Sequence, residues 1–309
     1  MRILLLGGTD LTLSLAKSLC EVACPPAGVV FVGEYFRISY EESKVKNAKF
    51  ADIEKWAQQS EIKSIEYSGL DSIASLQAEV NADIAIAAGW YHMISKRVRD
   101  LFPMGVYGIH HSYLPELRGG APLNWAMLLG KRETGTSLFQ FTDGVDEGPL
   151  IGQRKILIDP DAYIGDLVRN AEKAALELIK DVIPKLAAGV IKPEMQHGIP
   201  SYCMQRTPED SRIKWTETAV NIARLVRASS EPYGGARSSW RGSEVFIWEA
   251  RAVDNAPAVF GAPGQIFSLA AGRPAIITGD GLLELIRVTD ENGSDCMPKL
   301  SGSSHQRLS

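Results

Sequence analysis

No stretch of this chain reaches the roughly 18 uninterrupted apolar residues that a membrane-crossing helix requires, so no membrane role is expected. Cysteine is scarce. Four in 309 residues, at 20, 24, 203 and 296, are too few and too scattered for a disulfide framework. Cys20 and Cys24 would share one face of a helix, but no second pair with zinc spacing follows them, and no metal is expected. An excess of positive charge is also missing: 33 Lys+Arg against 37 Asp+Glu give a formal charge of −4, which argues against a protein whose main task is holding a phosphate backbone. The start, MRILLLGGTDLTL, has one basic residue and no small-residue cleavage site, so a cytoplasmic protein is expected. No internal repeat is visible.

What is present reads as alternating strands and helices. RILLLG is an apolar run closed by Gly7-Gly8, Leu11 to Val22 reads as a helix, and GVVFVG as a second buried strand. Ser43 to Gln59 reads as a half-polar helix, ADIAIAAGW as a strand running into a Gly-Trp-Tyr loop, and VYGIHHS as a further strand. TSLFQFTD and IGQRKILI flank the loop GVDEGPL, and Ala162 to Leu186 is a strong amphipathic helix. This alternation predicts an α/β domain, a doubly wound Rossmann-like parallel sheet with right-handed crossovers. Pro193, Gly198 and Pro200 then break the chain into a linker. Beyond it, WTETAVNIARLVRAS reads as one helix, and the short strand-like pieces SEVFIWEARAV, GQIFSL, PAIITG and LLELIRV predict a small OB-like β-barrel. The expected organisation is a first domain over 1–189, a linker over 190–206, the barrel over 207–290 and a frayed polar tail over 291–309.

Chemistry concentrates in GIHHSYLPELRGGAP, residues 108–122. Adjacent residues on a strand point to opposite faces, so His110 and His111 are poorly placed to chelate one ion, and no HExxH spacing supports a metal. Ser112 lacks the GxSxG elbow of a nucleophile with a histidine base. What remains is a histidine at a strand end acting as general acid or base, oriented by a carboxylate from Asp143, Asp146 or Glu147. The plainer alternative is a packed, hydrogen-bonded strand histidine. Ser112, Arg118, Gly119, Gly120 and the GVDEG loop put further polar groups at the same sheet end.

The run HHSYLPELRGGAPLNWAMLLGKRETGTSLFQFTDGVDEGPLI resembles the signature of formyltransferases that use N10-formyltetrahydrofolate. RTPEDSRIKWTETAVNIARLVRASSEPYGGA is similar to the carboxyl-terminal part of methionyl-tRNA formyltransferase. It is still more similar to the formyltransferase part of the bifunctional enzyme that formylates UDP-4-amino-4-deoxy-L-arabinose. The resemblance implies a catalytic histidine at His110 and aspartate at Asp146. It puts the family's asparagine, whose amide helps hold the formyl oxygen, on Gly108, a departure. Loss of such a donor typically costs a few kcal/mol in the transition state; if a backbone N–H or a water takes its place, restoring asparagine is expected to raise the rate. If the glycine instead makes room for a bulkier acceptor or a repositioned neighbour, the same substitution is expected to raise KM and lower the rate, the first outcome being favoured. The formyl donor N10-formyltetrahydrofolate is implied as cofactor, held by Gly89, Trp90, Tyr91, His92 and Met93 on one loop and Thr142, Asp143, Gly144 and Val145 on another. Substrate contacts are implied at Ser112, Arg118, Gly119, Gly120 and Asn124, while His111 is expected to pack.

The acceptor that the resemblance implies is a small-molecule primary amine, and the APLNW run, Ala121 to Trp125, resembles the sugar enzyme's version of this segment, so an amino-sugar nucleotide is the favoured expectation. Another small amine, methionyl-tRNA, or a non-catalytic folate-binding role are the alternatives. From Met204 to Ser309 there are 12 Lys+Arg and 12 Asp+Glu, a balance that disfavours tRNA, with the KVKNAK run at Lys44 to Lys49 as a counterweight. A homodimer is left open.

Overall fold

The computed structural model describes residues 1–37, 45–47, 49–269, 272–303 and 306–309. Its contacts divide into two compact units: Met1–Arg118, Gly135–Ile156 and Asn170–Tyr202 form the first, and Gly119–Thr134, Leu157–Arg169 and Cys203–Ser309 the second. The units are assembled from interleaved segments rather than consecutive ones, unlike the contiguous division read from the linker composition.

The first unit opens with strand β1 (Ile3–Gly7), helix α1 (Asp10–Glu21) and strand β2 (Gly28–Phe31). A short antiparallel pair, β3 (Tyr35–Phe36) and β4 (Val45–Lys46), precedes helix α2 (Ile53–Gln59). The helix expected over 43–59 is therefore confined to its end, with residues 43, 44 and 48 outside the described ones. Asp52 starts it, its side chain accepting from Lys55 N at 3.0 Å. Strand β5 (Lys63–Glu66), helix α3 (Leu70–Val80), strand β6 (Ile84–Ala87), helix α4 (Lys96–Arg99) and strand β7 (Val106–His110) follow.

Strands β7-β6-β1-β2-β5 are parallel, and β1, β2 and β6 are buried at every position, which is why they read as unbroken apolar runs rather than alternating ones. Strands β9 (Glu133–Gln140) and β10 (Leu150–Leu157) extend the sheet beyond β7, β9 running antiparallel with Gly108 opposite Phe139 and His110 opposite Ser137. Helix α6 (Ile164–Ala187) brings Leu178, Ile179, Val182 and Ile183 into the core with β1 and β6. At the carboxyl ends of the strands, Thr12 Oγ1 accepts from Thr9 N and donates to Ala88 O at 2.6 Å, which ties the first turn to the end of β6. Short strands β8 (Arg118–Gly119) and β11 (Tyr202–Cys203) lie outside this sheet.

The second unit holds helix α5 (Pro122–Leu128), helix α7 (Ala219–Ser229) and a curled, half-barrel antiparallel sheet. Its strands are β12 (Ala236–Trp240), β13 (Ser243–Ala252), β14 (Ile266–Ser268), β15 (Pro274–Ile277) and β16 (Leu282–Asp290), in the order β12-β13-β16-β15-β14. Helix α7 is shorter than expected because Thr218 caps it, accepting from Asn221 N, while Trp215 lies buried before it and donates to Ser238 Oγ at 3.0 Å. Among the described residues of the tail, expected to be frayed, Met297–Ser301 form helix α8, and Leu300 and Leu308 are fully buried in this unit's core. Apolar burial outweighs the polar composition around them.

Candidate active site

His110 ends β7, on a sheet whose strand carboxyl ends are where open α/β folds bind ligands. It is buried, with Nδ1 3.4 Å from Asp146 Oδ2 and Nε2 2.8 Å from the carbonyl oxygen of Leu117. A carbonyl only accepts, so the Leu117 contact assigns a hydrogen to Nε2. Asp146 stands on the loop between β9 and β10 in the left-handed region, φ 47°, a conformation aspartate tolerates better than most residues. Of the three candidate acids, Asp146 is the one that faces His110. Asp143 pairs instead with Arg99, and Glu147 lies against Gly144.

The loop is fixed by a residue that sequence reasoning passed over. Gln196 donates from Nε2 to the carbonyls of Asp146 (2.7 Å) and Gly148 (2.9 Å), while its Oε1 accepts from Arg118 Nη2 (2.7 Å) and Nε (3.2 Å). It sits in the segment read as linker, where nothing but a lone polar side chain marked it. Tyr202 completes the hold on Arg118, its hydroxyl 3.1 Å from Nη1.

The remaining predicted substrate contacts divide. Ser112 is fully buried and donates to Glu116 O at 2.5 Å, so its hydroxyl serves the turn, a correction of the expected contact. Gly119 and Gly120 lie against Cys203 and Gln205, with Gly120 N donating to Cys203 O at 2.9 Å. Asn124 is buried and its Nδ2 donates to Ala228 O at 2.8 Å, tying α5 to α7. His111 is half-buried with Nδ1 3.4 Å from Thr136 Oγ1; burial first, then the neighbouring His110 and Lys49, push its pKa down to about 4, so it packs as a neutral ring.

Gly108 is filled from across the sheet. A Cβ there would lie 2.5 Å from Phe141 Cζ, so the aromatic ring takes the volume that an asparagine side chain would need. The expectation that restoring asparagine simply adds a donor is thereby corrected: the donor has no room while Phe141 stays.

The two loops assigned to a folate donor carry polar atoms that suit one. Trp90 Nε1, His92 Nε2 and Thr142 Oγ1 are buried with no hydrogen-bond partner among the described residues, and burial lowers the His92 pKa. Tyr67 packs on His92 and Trp90 at ring-centroid distances of 4.2 and 4.8 Å, and Phe36 on Tyr91 at 4.6 Å. Tyr91 donates to Asn47 Oδ1 at 2.9 Å. Met93 and Val145 are exposed. Gly89, φ 63°, is required by the protein's own packing, since a Cβ there would strike Thr9 Oγ1. Orphaned donors and acceptors beside aromatic faces fit a heteroaromatic ring with amide and amine edges. Among the described residues, no three His, Cys, Asp or Glu side chains converge as a metal site would require.

Residues 40–183 match the family described as formyl transferase, and residues 206–301 match its C-terminal domain. The chain belongs to the formyl transferase family, enzymes that move a formyl group. Among solved structures it is similar to HypX from Aquifex aeolicus in complex with tetrahydrofolic acid, at 20% identity and a TM-score of 0.65 over 96% of this chain. The chain spans only 45% of that HypX chain. It is also similar to the N-formyltransferase from Helicobacter canadensis in complex with folinic acid and dTDP-3-aminofucose: 16% identity, TM-score 0.69, 94% of this chain and 100% of that one. Methionyl-tRNA formyltransferase from Clostridium thermocellum matches at 18% identity and a TM-score of 0.57, over 84% of this chain and 96% of its own.

Proposed function

We propose that this chain transfers the formyl group of N10-formyltetrahydrofolate to the primary amine of an amino-sugar nucleotide. The observation that carries the reading is the His110–Asp146 pair at the end of β7, inside the matched formyl transferase segment. The donor, when bound, supplies a formyl carbon activated on N10, and Trp90, His92 and Thr142 are the residues that would hold it. In the proposed reaction the Nε2 hydrogen of His110, bonded to Leu117 O in this structure, turns to the formyl oxygen and polarises it. Leu117 O and Asp146 Oδ2 stand against the two ring nitrogens of His110. Asp146 keeps the ring oriented and, directly or through a water, accepts the proton that the attacking amine releases; as the new amide bond forms, the bond from the formyl carbon to N10 breaks and one proton returns to N10. Neither group forms a bond to substrate. Arg118, prepositioned by Gln196 and Tyr202, is the cation placed to meet an anionic part of the acceptor.

An amino-sugar acceptor is supported by the Helicobacter canadensis match along nearly the whole of both chains and by the balanced charge of residues 204–309. The lysines once set against it are engaged: Lys46 pairs with Glu34 at 3.7 Å and Lys49 with Glu172 at 2.8 Å, while Lys44 lies outside the described residues. The test is release of tetrahydrofolate from N10-formyltetrahydrofolate on addition of a panel of amino-sugar nucleotides, other small amines and charged initiator tRNA. Turnover with a sugar nucleotide is expected; turnover confined to tRNA would replace the acceptor, and none with any amine would replace the activity.

A further inference from the structure

Helix α7 carries Arg224 and Arg227 three residues apart, a spacing that puts both guanidinium groups on one helix face. Both line a cavity of about 470 Å³ whose walls all belong to the second unit. Lys131 and Arg132, just past α5, and Arg251 on β13 continue its basic lining. The acids in the wall are Asp159, Asp161 and Asp254, all exposed to solvent. Neither His110 nor Asp146 lines it.

The arginines of this cavity are not equally engaged. Arg251 donates from Nε to Glu284 Oε2 at 2.6 Å. Arg224 reaches only Asn221 Oδ1, at 3.4 Å, and Arg227 Nε is buried with no partner; among the described residues neither forms an ion pair. The Arg224 guanidinium stacks onto Gly130, where a Cβ would lie 2.7 Å from Cζ, and φ of 64° there closes α5 as glycine allows. Burial pulls the Arg227 pKa down first of all, Tyr163 and Asp161 push it back up, and Arg224 adds to the lowering.

Two like charges held side by side with no ion pair to either are each destabilised by the other, Asp161 offsets this only in part, and a multiply charged anion that accepts from both relieves it. We propose that the cavity binds a phosphorylated small molecule through its pyrophosphate group, with Arg224 and Arg227 as its fork of donors. The volume falls within the range of roughly 300–1,000 Å³ usual for small-molecule sites. Guanidinium forks match phosphate oxygens bidentately, and the acids of the lining are exposed to solvent, where water screens their charge.

The site stands apart from the catalytic reading, and its test does not use activity. Isothermal titration of the full chain with inorganic pyrophosphate is compared with the same titration of the double variant R224Q/R227Q, with a thermal melt of each to confirm folding. Binding by the wild type, weakened at least about tenfold in the double variant, is the expected result for the loss of two charge-assisted contacts. If the double variant fails to fold, R224K and R227K keep the charge and lose the fork, and an intermediate loss in each is expected. Equal binding by wild type and variants, or none by the wild type, overturns the proposal. So does a polyuridylate ligand that binds here and resists displacement by pyrophosphate, which would make the cavity a nucleic-acid contact.

Discussion

In the proposed reaction His110 and Asp146 are the acid–base pair, His110 held by the Leu117 carbonyl as well as by Asp146, and the Asp146 carbonyl held by Gln196. Replacing His110 with alanine or Asp146 with asparagine is expected to lower turnover at least about a hundredfold, the usual scale for a general acid–base partner, while leaving the melting profile near that of the parent. Steady-state kinetics with the true amine reads it, and near-normal kcat in either variant would remove the mechanism. Gly108 calls for the opposite logic. Gly108→Asn drives a side chain into the Phe141 ring and should lower stability by about 1–3 kcal/mol, the scale of overpacking, with kcat falling rather than rising. Pairing it with Phe141→Ala opens the space, and recovery of kcat in the double variant would show that the ring, and not the strand, excludes the amide donor. No recovery would mean that the site has been rebuilt without that donor.

At the scale of elements, the loop between β9 and β10 is shaped by a side chain from the distant segment after α6. Gln196 holds the carbonyls on either side of Glu147 and at the same time orients Arg118. Gln196→Ala removes those ties and should cost about 1–3 kcal/mol of stability by the ordinary worth of buried hydrogen bonds. A merely structural role would stop there. As a positioning residue Gln196 should also shift the balance between KM and kcat, raising KM through Arg118 and lowering kcat through Asp146. Gln196→Glu should restore KM but not kcat, because a carboxylate still accepts from Arg118 but cannot donate to the two carbonyls. An unchanged KM and kcat in Gln196→Ala would show that the loop holds its shape by itself.

The whole molecule carries two further expectations. His111 is neutral in the folded state, its pKa lowered from 6.5 to about 4, whereas the unfolded chain takes up a proton near 6.5. Its contribution to stability is therefore complete above about pH 6.5 and is lost as pH falls toward 4, by at most about 3 kcal/mol. His111→Gln should flatten that part of the stability–pH curve measured by urea denaturation, and a slope identical to the parent's would assign the pH dependence to other groups. The second expectation concerns tRNA. With 12 cationic and 12 anionic residues from Met204 to Ser309, initiator tRNA should bind no better than a nonspecific polyanion, and less with each step in salt. Salt-resistant, sub-micromolar binding in a filter assay would reverse the choice of acceptor.

The sequence by itself determined what is local. Buried strands such as Ile84–Ala87 declare themselves because a strand covered on both faces must be apolar throughout. The amphipathic period of Ile164–Ala187 and the strand-end histidine followed by a glycine-bracketed acidic loop were legible for the same reason, since each depends on a few consecutive residues. Position 108 could be read as an unexpected glycine. Only the tertiary structure decided why: Phe141, brought beside β7 by the antiparallel β9, occupies that space. It also selected Asp146 from three acids, enlisted Gln196 from 50 residues away, and buried Leu308 in a tail whose composition reads as solvated. A contact between distant segments leaves no periodicity in either one, because what fixes it is the shape of the assembled core.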